Sequence, residues 1–279
     1  MGLRINSNIA AQSVQKSLGQ VNNSVDSELA RLSSGKRINS AADDAAGLAL
    51  SNRLEAQVRS LNQATRNAND GMSLIQTAEG GLSEISGILI RLRELSVQSA
   101  SDTVGNTERE MMDKEYQQLT SEIDRIAQST VYNGIHLLNG EADQDVMEFQ
   151  VGAYAGNENV ISFNVNDTNA TTDGIGIDGL GVASKDDALD SIEALDEAIN
   201  NISGQRANLG AVQNRLQTTV SSLQSQSIAQ ENARSLVADV DVADSAAKLA
   251  ANNVKRTAAT AALAQANVLP QLALRVVGE

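Results

Sequence analysis

The side chains that could carry out chemistry are few in this sequence. His136 is the only histidine among the 279 residues, and there is no cysteine. Zinc sites made of paired histidines or of thiolates therefore cannot form within one chain. A serine–histidine–aspartate triad would depend on His136, and the chain has no G-x-S-x-G turn to present the serine. We interpret His136 as a residue of a turn-rich hairpin beside Asn133-Gly134.

Two groups of acidic residues could indicate metal binding or acid–base chemistry. Asp43 and Asp44 are adjacent, and we interpret them as capping residues, since carboxylates at a helix start accept hydrogen bonds from free N–H groups. The larger group lacks the alternating ligands and fixed glycine of a calcium-binding loop, which favours a solvated helix face. Its members are Asp186, Asp187, Asp190, Glu193, Asp196 and Glu197. The sequence thus predicts no catalytic residue, no metal site and no cofactor, and the chain is not expected to be an enzyme.

The composition favours long helices over a globular fold with a thick core. Hydrophobic residues make up 41% of the chain but aromatic residues only 2%, so small aliphatic side chains must fill the contacts between helices. Pro270 is the only proline, and the chain before it can stay helical without a proline break. The net charge of −14 disfavours nucleic acid and anionic membranes as partners. No apolar run reaches the roughly 18 residues of a membrane span, and the first residues lack the pattern of a cleaved secretory signal.

Apolar side chains recur at intervals of three and four residues in five stretches, which predicts amphipathic helices. Three of these stretches, at 74–92, 112–126 and 209–223, have stripes that can form a core of their own. The other two lie near the chain ends. The first end stretch contains Val14, Leu18, Val21, Val25, Leu29 and Leu32, and the last contains Val242, Ala246, Leu249, Asn253, Arg256, Thr260 and Leu263.

Helix starts are predicted where a side chain can accept hydrogen bonds from the free N–H groups of a first turn. Thr107 to Glu110 has the pattern of a capping box. Ser40 to Asp43 and Ser184 to Asp187 are looser versions with aspartate in the last position. Asp241, together with Asp244, is expected to begin the last helix.

The segment at about 131–166 has a different pattern, in which apolar and polar residues alternate between turn signals. The alternating apolar residues are Met147, Phe149, Val151, Ile161, Phe163 and Val165. Alternation combined with Asn-Gly and Gly-rich turns predicts a β-hairpin or a small sheet. The expected fold class is therefore mainly α, a long helical bundle or coiled coil with a small β-hairpin inserted between its helices.

The two end helices have narrow apolar stripes, and their other faces are rich in Asn, Gln, Ser and Ala. Such a helix buries too little surface by itself to offset its loss of conformational entropy. Each must therefore pair with another segment of the chain or with another subunit, which is the physical basis of an assembly hypothesis. The residues assigned to this terminal assembly seam are Val14, Leu18, Val21, Val25, Leu249, Asn253, Arg256 and Leu263.

Three stretches of the sequence resemble bacterial flagellin, the subunit of the flagellar filament. The first is LSSGKRINSAADDAAGLA at 32–49, and the second is EIDRIA at 122–127, followed by Tyr132-Asn133-Gly134. The third is LAQAN at 263–267, followed by Pro270-Gln271. Tyr132 stands where the family usually has phenylalanine.

The resemblance implies a chain of two domains. Residues 1–46 and 231–279 would form an antiparallel coiled-coil domain with connecting spokes that lines the filament channel. Residues 47–230 would form an outer helical domain with a β-hairpin at about 131–170. A short linker at 170–185 would stand where larger relatives insert surface domains.

The resemblance further implies a structural subunit that polymerises into the extracellular filament used for swimming. Family members are exported unfolded by the flagellar type III apparatus with an export chaperone, which agrees with the lack of cysteine and of a signal-like start. The implied partners are copies of the chain itself, the export apparatus and chaperone, and the filament cap and junction proteins. Nucleic acid and membrane insertion are not expected.

A contact surface on the outer domain is also implied. Arg91 and Leu95 are four residues apart and are expected to share an exposed face beside the core stripe. With Gln98 and Glu115 they match a segment that flagellins use for packing between subunits, and in some flagellins an animal Toll-like receptor binds the same surface. Leu119 replaces an arginine common in receptor-activating relatives. Periodicity places Leu119 on a buried stripe, whereas the arginine of those relatives should be exposed.

Two other functions compete with this interpretation. A hook–filament junction protein resembles flagellin at its ends, but the ending Gln265-Ala266-Asn267 with Pro270 favours flagellin. A chemoreceptor-type signalling bundle would need one uninterrupted helical hairpin. The predicted β segment argues against it.

Overall fold

The computed structural model describes residues 7–140 and 146–277, with side chains as far as Val268. The ends of the predicted terminal domain (1–6 and 278–279) and residues 141–145 of the predicted hairpin segment lie outside the described residues. The helices are α1 (Ile9–Ser34), α2 (Ala45–Ser99), α3 (Asn106–Ser129), α4 (Lys185–Ala238) and α5 (Val242–Val277). The strands are β1 (Val131–Tyr132), β2 (Ile135–His136), β3 (Val146–Gln150) and β4 (Val160–Asn164). The predicted mainly α fold with a small hairpin insertion is confirmed.

The chain divides into two compact units, one from the described parts of Met1–Ala56 and Ala229–Glu279 and the other from Gln57–Ile228. In the first unit α1 and α5 run antiparallel. At one end the Asn8 side-chain amide donates a hydrogen bond to the Ala266 carbonyl over 2.8 Å. At the other end the backbone N–H of Val240 donates to the Gly35 carbonyl over 3.1 Å.

No helix in the described part of the chain combines the length and apolarity needed to cross a bilayer.

The second unit is built around the buried faces of α2, α3 and α4. Ion pairs between Arg93 and Asp196 and between Asp102 and Lys185 show that α2 and α4 run antiparallel. The fully buried apolar side chains of the three helices form one continuous core, as the periodicity predicts. They include Ile75, Leu82, Ile85, Leu89, Leu92, Tyr116, Ile123, Leu195, Ile202, Leu209 and Leu216.

The segment between β4 and α4, expected as a short linker, is packed into this core. Ile175, Ile177 and Val182 are buried in it. Side chains of α3 satisfy its irregular backbone, because the Asp124 carboxylate accepts a hydrogen bond from the Thr172 N–H over 2.9 Å and that of Asp113 accepts one from the Val182 N–H over 2.8 Å. Buried polar backbone groups need such partners. The segment is therefore an ordered part of the second unit.

Two antiparallel strand pairs account for the predicted β segment. Asn133 and Gly134 join β1 to β2 with positive φ angles of 50° and 84°, as a two-residue hairpin turn requires. In the other pair, Phe149 lies opposite Ile161. Its ring packs against α2 at Gly71, where an added Cβ would approach the ring to 3.1 Å. The predicted alternation of β3 and β4 is confirmed.

The helix starts agree with two of the four predicted caps and contradict the other two. The Ser184 hydroxyl accepts a hydrogen bond from the Asp187 N–H over 3.1 Å, and the Asp241 carboxylate accepts two from the first turn of α5.

The capping box at Thr107 is wrong, because α3 begins at Asn106 with Gly105 as its N-cap, two residues before Thr107. Glycine is a favourable cap because its backbone can adopt the required entry geometry without a side chain. The looser box at Ser40 to Asp43 is wrong as well, because these residues form a turn and α2 begins only at Ala45.

Candidate assembly surfaces

The contact between α1 and α5, called here the terminal seam, covers most of the residues predicted for it at least in part. Val25 is buried, whereas the other assigned residues of α1 and most of those of α5 are half-buried. These half-buried residues are Val14, Leu18, Val21, Leu249, Asn253 and Leu263. Arg256 is exposed. The structure thus brings the two stripes together within one chain, and their part in assembly stays a prediction.

One residue of the predicted α1 stripe is placed wrongly. Leu29 is 56% exposed, whereas Glu28 is buried and only 8% exposed. Both residues fit a spacing of three or four from Val25, so periodicity alone cannot choose between them. The seam continues through Glu28 to Leu32 and leaves Leu29 outside.

The stripe on α5 is displaced in the same way. Two series of residues with spacings of four and three run along α5 and share every seventh position. The prediction followed one series, whereas the buried residues belong to the other. Alanine and serine are equally small, so neither series has an advantage in packing volume. Val242, Ala246 and Thr260 of the predicted series are exposed, and Ser245 and Ala266 are buried instead.

A backbone joint closes the seam at the ends of α1 and α4. The Arg37 N–H donates to the Ala238 carbonyl over 2.7 Å, and the guanidinium of Arg37 donates to the Val237 carbonyl over 2.6 Å. Arg37 thereby satisfies carbonyl groups that the last turn of α4 leaves free. Gly35, with a φ of 70°, ends α1 just before this joint. In the sequence, only Gly35 at the end of the α1 pattern could have indicated this joint.

On the second unit, Arg91 of α2 and Glu115 of α3 form an ion pair that the sequence analysis did not predict. The guanidinium lies 2.9 Å from the Glu115 carboxylate and 3.0 Å from that of Glu94. The hydrogen bond to Glu115 is the chief reason why the pKa of Arg91 is raised. Exposed pairs of this kind stabilise a fold little, but they hold the guanidinium in one orientation. Gln98 is exposed on the same helix.

The prediction that Leu95 is exposed beside Arg91 is wrong, since only 2% of Leu95 is accessible. The helix α2 packs against both α3 and α4, so it buries a wider arc than a single stripe. Leu119 is half-buried and packs against the same core. Large apolar residues are exposed nearby, and sequence periodicity missed their position. They are Ile90, Val97 and Met111.

Three of the residues considered for chemistry have structural partners. His136 is exposed, and its Nδ1 lies 2.9 Å from the Gln128 carbonyl oxygen. Asp44 accepts a hydrogen bond from the Gly47 N–H over 2.8 Å at the start of α2, as predicted. Asp43 closes the preceding turn, where hydrogen bonds from Ser40 are the main cause of its lowered pKa. In the described ranges, no three acidic or histidine side chains are grouped to hold a metal ion.

Comparison with known proteins identifies a family for both ends of the chain. Residues 5–143 match the bacterial flagellin N-terminal helical region, and residues 192–277 match the bacterial flagellin C-terminal helical region. The chain is 39% identical to a flagellin of Halalkalibacterium halodurans, with 98% of each chain covered. It is 40% identical to a flagellin of Bacillus subtilis, with 98% of this chain and 99% of the relative covered. It is 39% identical to the flagellar filament 33 kDa core protein of Treponema phagedenis, with 97% and 98% covered.

Solved structures agree with this assignment. The crystal structure of Bacillus cereus flagellin is 32% identical and superposes with a TM-score of 0.50, covering 57% of this chain and 88% of that one. A putative flagellar hook-associated protein from Vibrio parahaemolyticus has a TM-score of 0.59, covering 70% of this chain and 99% of that one. Its identity is only 17%, so it supports the fold alone.

Proposed function

The chain belongs to the bacterial flagellins, the subunits of the extracellular flagellar filament, and we propose that it polymerises through its paired terminal helices. In this proposal residues 1–46 and 231–279 form the terminal domain that lines the filament channel. Residues 47–230 form the outer domain, whose contacts include Arg91, Gln98 and Glu115. The filament serves swimming motility.

The exposure of large aliphatic side chains on the first unit carries this proposal. Leu236 is 84% exposed and Val254 is 69% exposed, and other large apolar side chains of the same unit also face outward. Burying one such side chain contributes about 1.5–3 kcal/mol. Contact with copies of the chain would bury them, and the narrow terminal seam would gain the stabilisation that it lacks alone. The other exposed members are Ile9, Leu29, Leu50, Val242 and Val268.

Electron microscopy of the purified full chain tests the proposal. We expect long filaments to form above a critical concentration, because helical assembly buries the exposed side chains repeatedly along the polymer. A hook–filament junction protein would not give long tubes. Short rings or soluble subunits at every concentration would therefore contradict the proposal.

We further propose that the chain leaves the cell unfolded, through the flagellar type III apparatus and with an export chaperone. Cap and junction proteins would then lie at the two ends of the growing filament. The half-buried terminal seam supports this proposal, because a weakly packed helix pair unfolds at low cost. We do not extend the proposal to an animal Toll-like receptor, since Leu119 is half-buried where receptor-activating relatives carry an arginine.

The export proposal predicts that the chain appears outside cells only when the type III apparatus is intact. Immunoblots of medium and cell fractions from matched strains measure this. Equal amounts in the medium after deletion of the apparatus would show that another route is used. A cytosolic protein in the same fractions serves as the control for lysis.

A further inference from the structure

A glutamate is buried in the terminal seam where an apolar side chain is expected. Glu28 follows Val25 by three residues and precedes Leu32 by four, so it stands in the heptad series of the seam. Its neighbour Leu29 also lies between Val25 and Leu32, at spacings of four and three, and would be the more favourable residue to bury. The chain nevertheless exposes the leucine and buries the carboxylate.

The buried carboxylate is only partly satisfied. Arg31 Nη1 lies 3.0 Å from Glu28 Oε1. Among the described residues nothing hydrogen-bonds Glu28 Oε2 or Arg31 Nε, although both atoms are buried. A buried ion pair with open hydrogen-bonding positions is often less stable than apolar side chains of similar size. Stability of the seam therefore does not explain why a glutamate stands at this position.

The helix α1 could pack with either Glu28 or Leu29 facing α5, and charged residues on other segments favour the first of these rotations. Arg31 Nη2 lies 3.9 Å from the Asp43 carboxylate, beyond the end of the helix. Across the seam, the Asp244 carboxylate accepts a hydrogen bond from Lys248 of α5, which is the main cause of the raised pKa of Lys248. Glu28 raises that pKa further, whereas Arg31 lowers it. Neighbouring residues of an α-helix point about 100° apart. Turning α1 to bury Leu29 would move Arg31 away from Asp43.

We propose that Glu28, held by Arg31, sets the rotation of α1 against α5 and thereby turns Leu29 outward as a contact for a second copy of this chain. Buried polar groups fix the register of other coiled coils at a cost in stability. Glu28 is thus a specificity-determining residue of the terminal seam. This inference rests on the proposed function, because Leu29 needs a neighbouring subunit to be covered.

Three variants of the full chain test the inference by their critical concentrations for assembly. With Glu28→Leu, α1 can bury either leucine, so the outward contact is lost in part and the critical concentration rises about tenfold. Glu28→Gln keeps a polar group in the seam and stays within about threefold of the unaltered chain. Asp26→Leu removes the same charge from an exposed position of α1 and does not raise the critical concentration. If Glu28 is only a tolerated buried charge, Glu28→Leu will instead assemble more readily, which overturns the inference.

Electron cryo-microscopy of the filaments measures the rotation directly. In filaments of the unaltered chain, Glu28 should face α5 and Leu29 should contact a neighbouring subunit. Filaments in which Leu29 faces α5 would overturn this inference and leave the proposed function intact. An unaltered chain that forms no filaments would instead contradict the proposed function. Far-ultraviolet circular dichroism of each soluble variant shows whether the helices of the second unit are retained.

Discussion

Deleting residues 245–279, or residues 1–30, is expected to abolish filament formation. Leu249 and Leu263 are half-buried in the terminal seam, as are Val14 and Leu18 on α1. Removing either helix exposes the stripe of the other, and a narrow amphipathic helix without a partner is marginal in water. Negative-stain electron microscopy and sedimentation of each truncated chain measure the loss. Long filaments from either truncation would contradict assembly through the paired ends.

The same truncations are expected to leave the second unit folded. Its core is supplied by residues between Leu61 and Leu223, which both deletions retain. Circular dichroism should therefore show the helices of 57–228 melting cooperatively, at a temperature close to that of the soluble full chain. A chain that loses all helicity would show that the missing filaments result from unfolding. The full chain, prepared in parallel, is the matched control.

Leu95→Ala is expected to lower the free energy of unfolding of the second unit by about 2–5 kcal/mol, the usual cost of removing a buried leucine side chain. Leu95 belongs to the core cluster that contains Leu92 and Tyr116. Urea denaturation of the soluble chain, followed by circular dichroism, measures this change. A loss below about 1 kcal/mol would show that Leu95 lies at a surface, as sequence periodicity first indicated.

Arg91→Ala, one turn away on the same helix, provides the matched contrast. Its ion pairs are exposed, so the free energy of unfolding of the soluble chain should change by less than about 1 kcal/mol. We expect the filaments to melt at a lower temperature, since Arg91 is proposed to contact a neighbouring subunit. Unchanged filaments, or a variant that unfolds as a monomer, would remove Arg91 from the assembly surface.

The position of helices and strands along the chain could be predicted from local patterns. The stripes at 74–92, 112–126 and 209–223 lie in helices, and β3 and β4 alternate as expected. These predictions are reliable because the apolar spacing recurs several times in each pattern, so a single exceptional residue does not change the period. Capping was less predictable. Gly105 provides no side-chain hydrogen bond to the first turn of α3, and Thr107 offered a better apparent cap.

For the segment at 170–185, the amino-acid composition led to the wrong prediction of a surface linker. Glycine, threonine and aspartate are typical of a surface linker, and no period connects Ile175, Ile177 and Val182. Their burial depends on Asp113 and Asp124 of α3, which are 69 and 48 residues away from their hydrogen-bond partners in the chain. An interaction over that distance leaves no local pattern.

For the assembly surfaces, the sequence by itself determined that both chain ends are amphipathic, that they need a partner, and that Arg91 and Glu115 lie outside the core. Only the tertiary structure decided which residues the pairing buries. Spacings of three and four are both compatible with one helical turn, so Val25 can be followed in the seam by Glu28 or by Leu29. On α5 small residues fit both possible stripes, and on α2 two neighbouring helices widen the buried arc to include Leu95. In each case the choice depends on the surface of the facing helix, which the periodicity of a single helix does not contain.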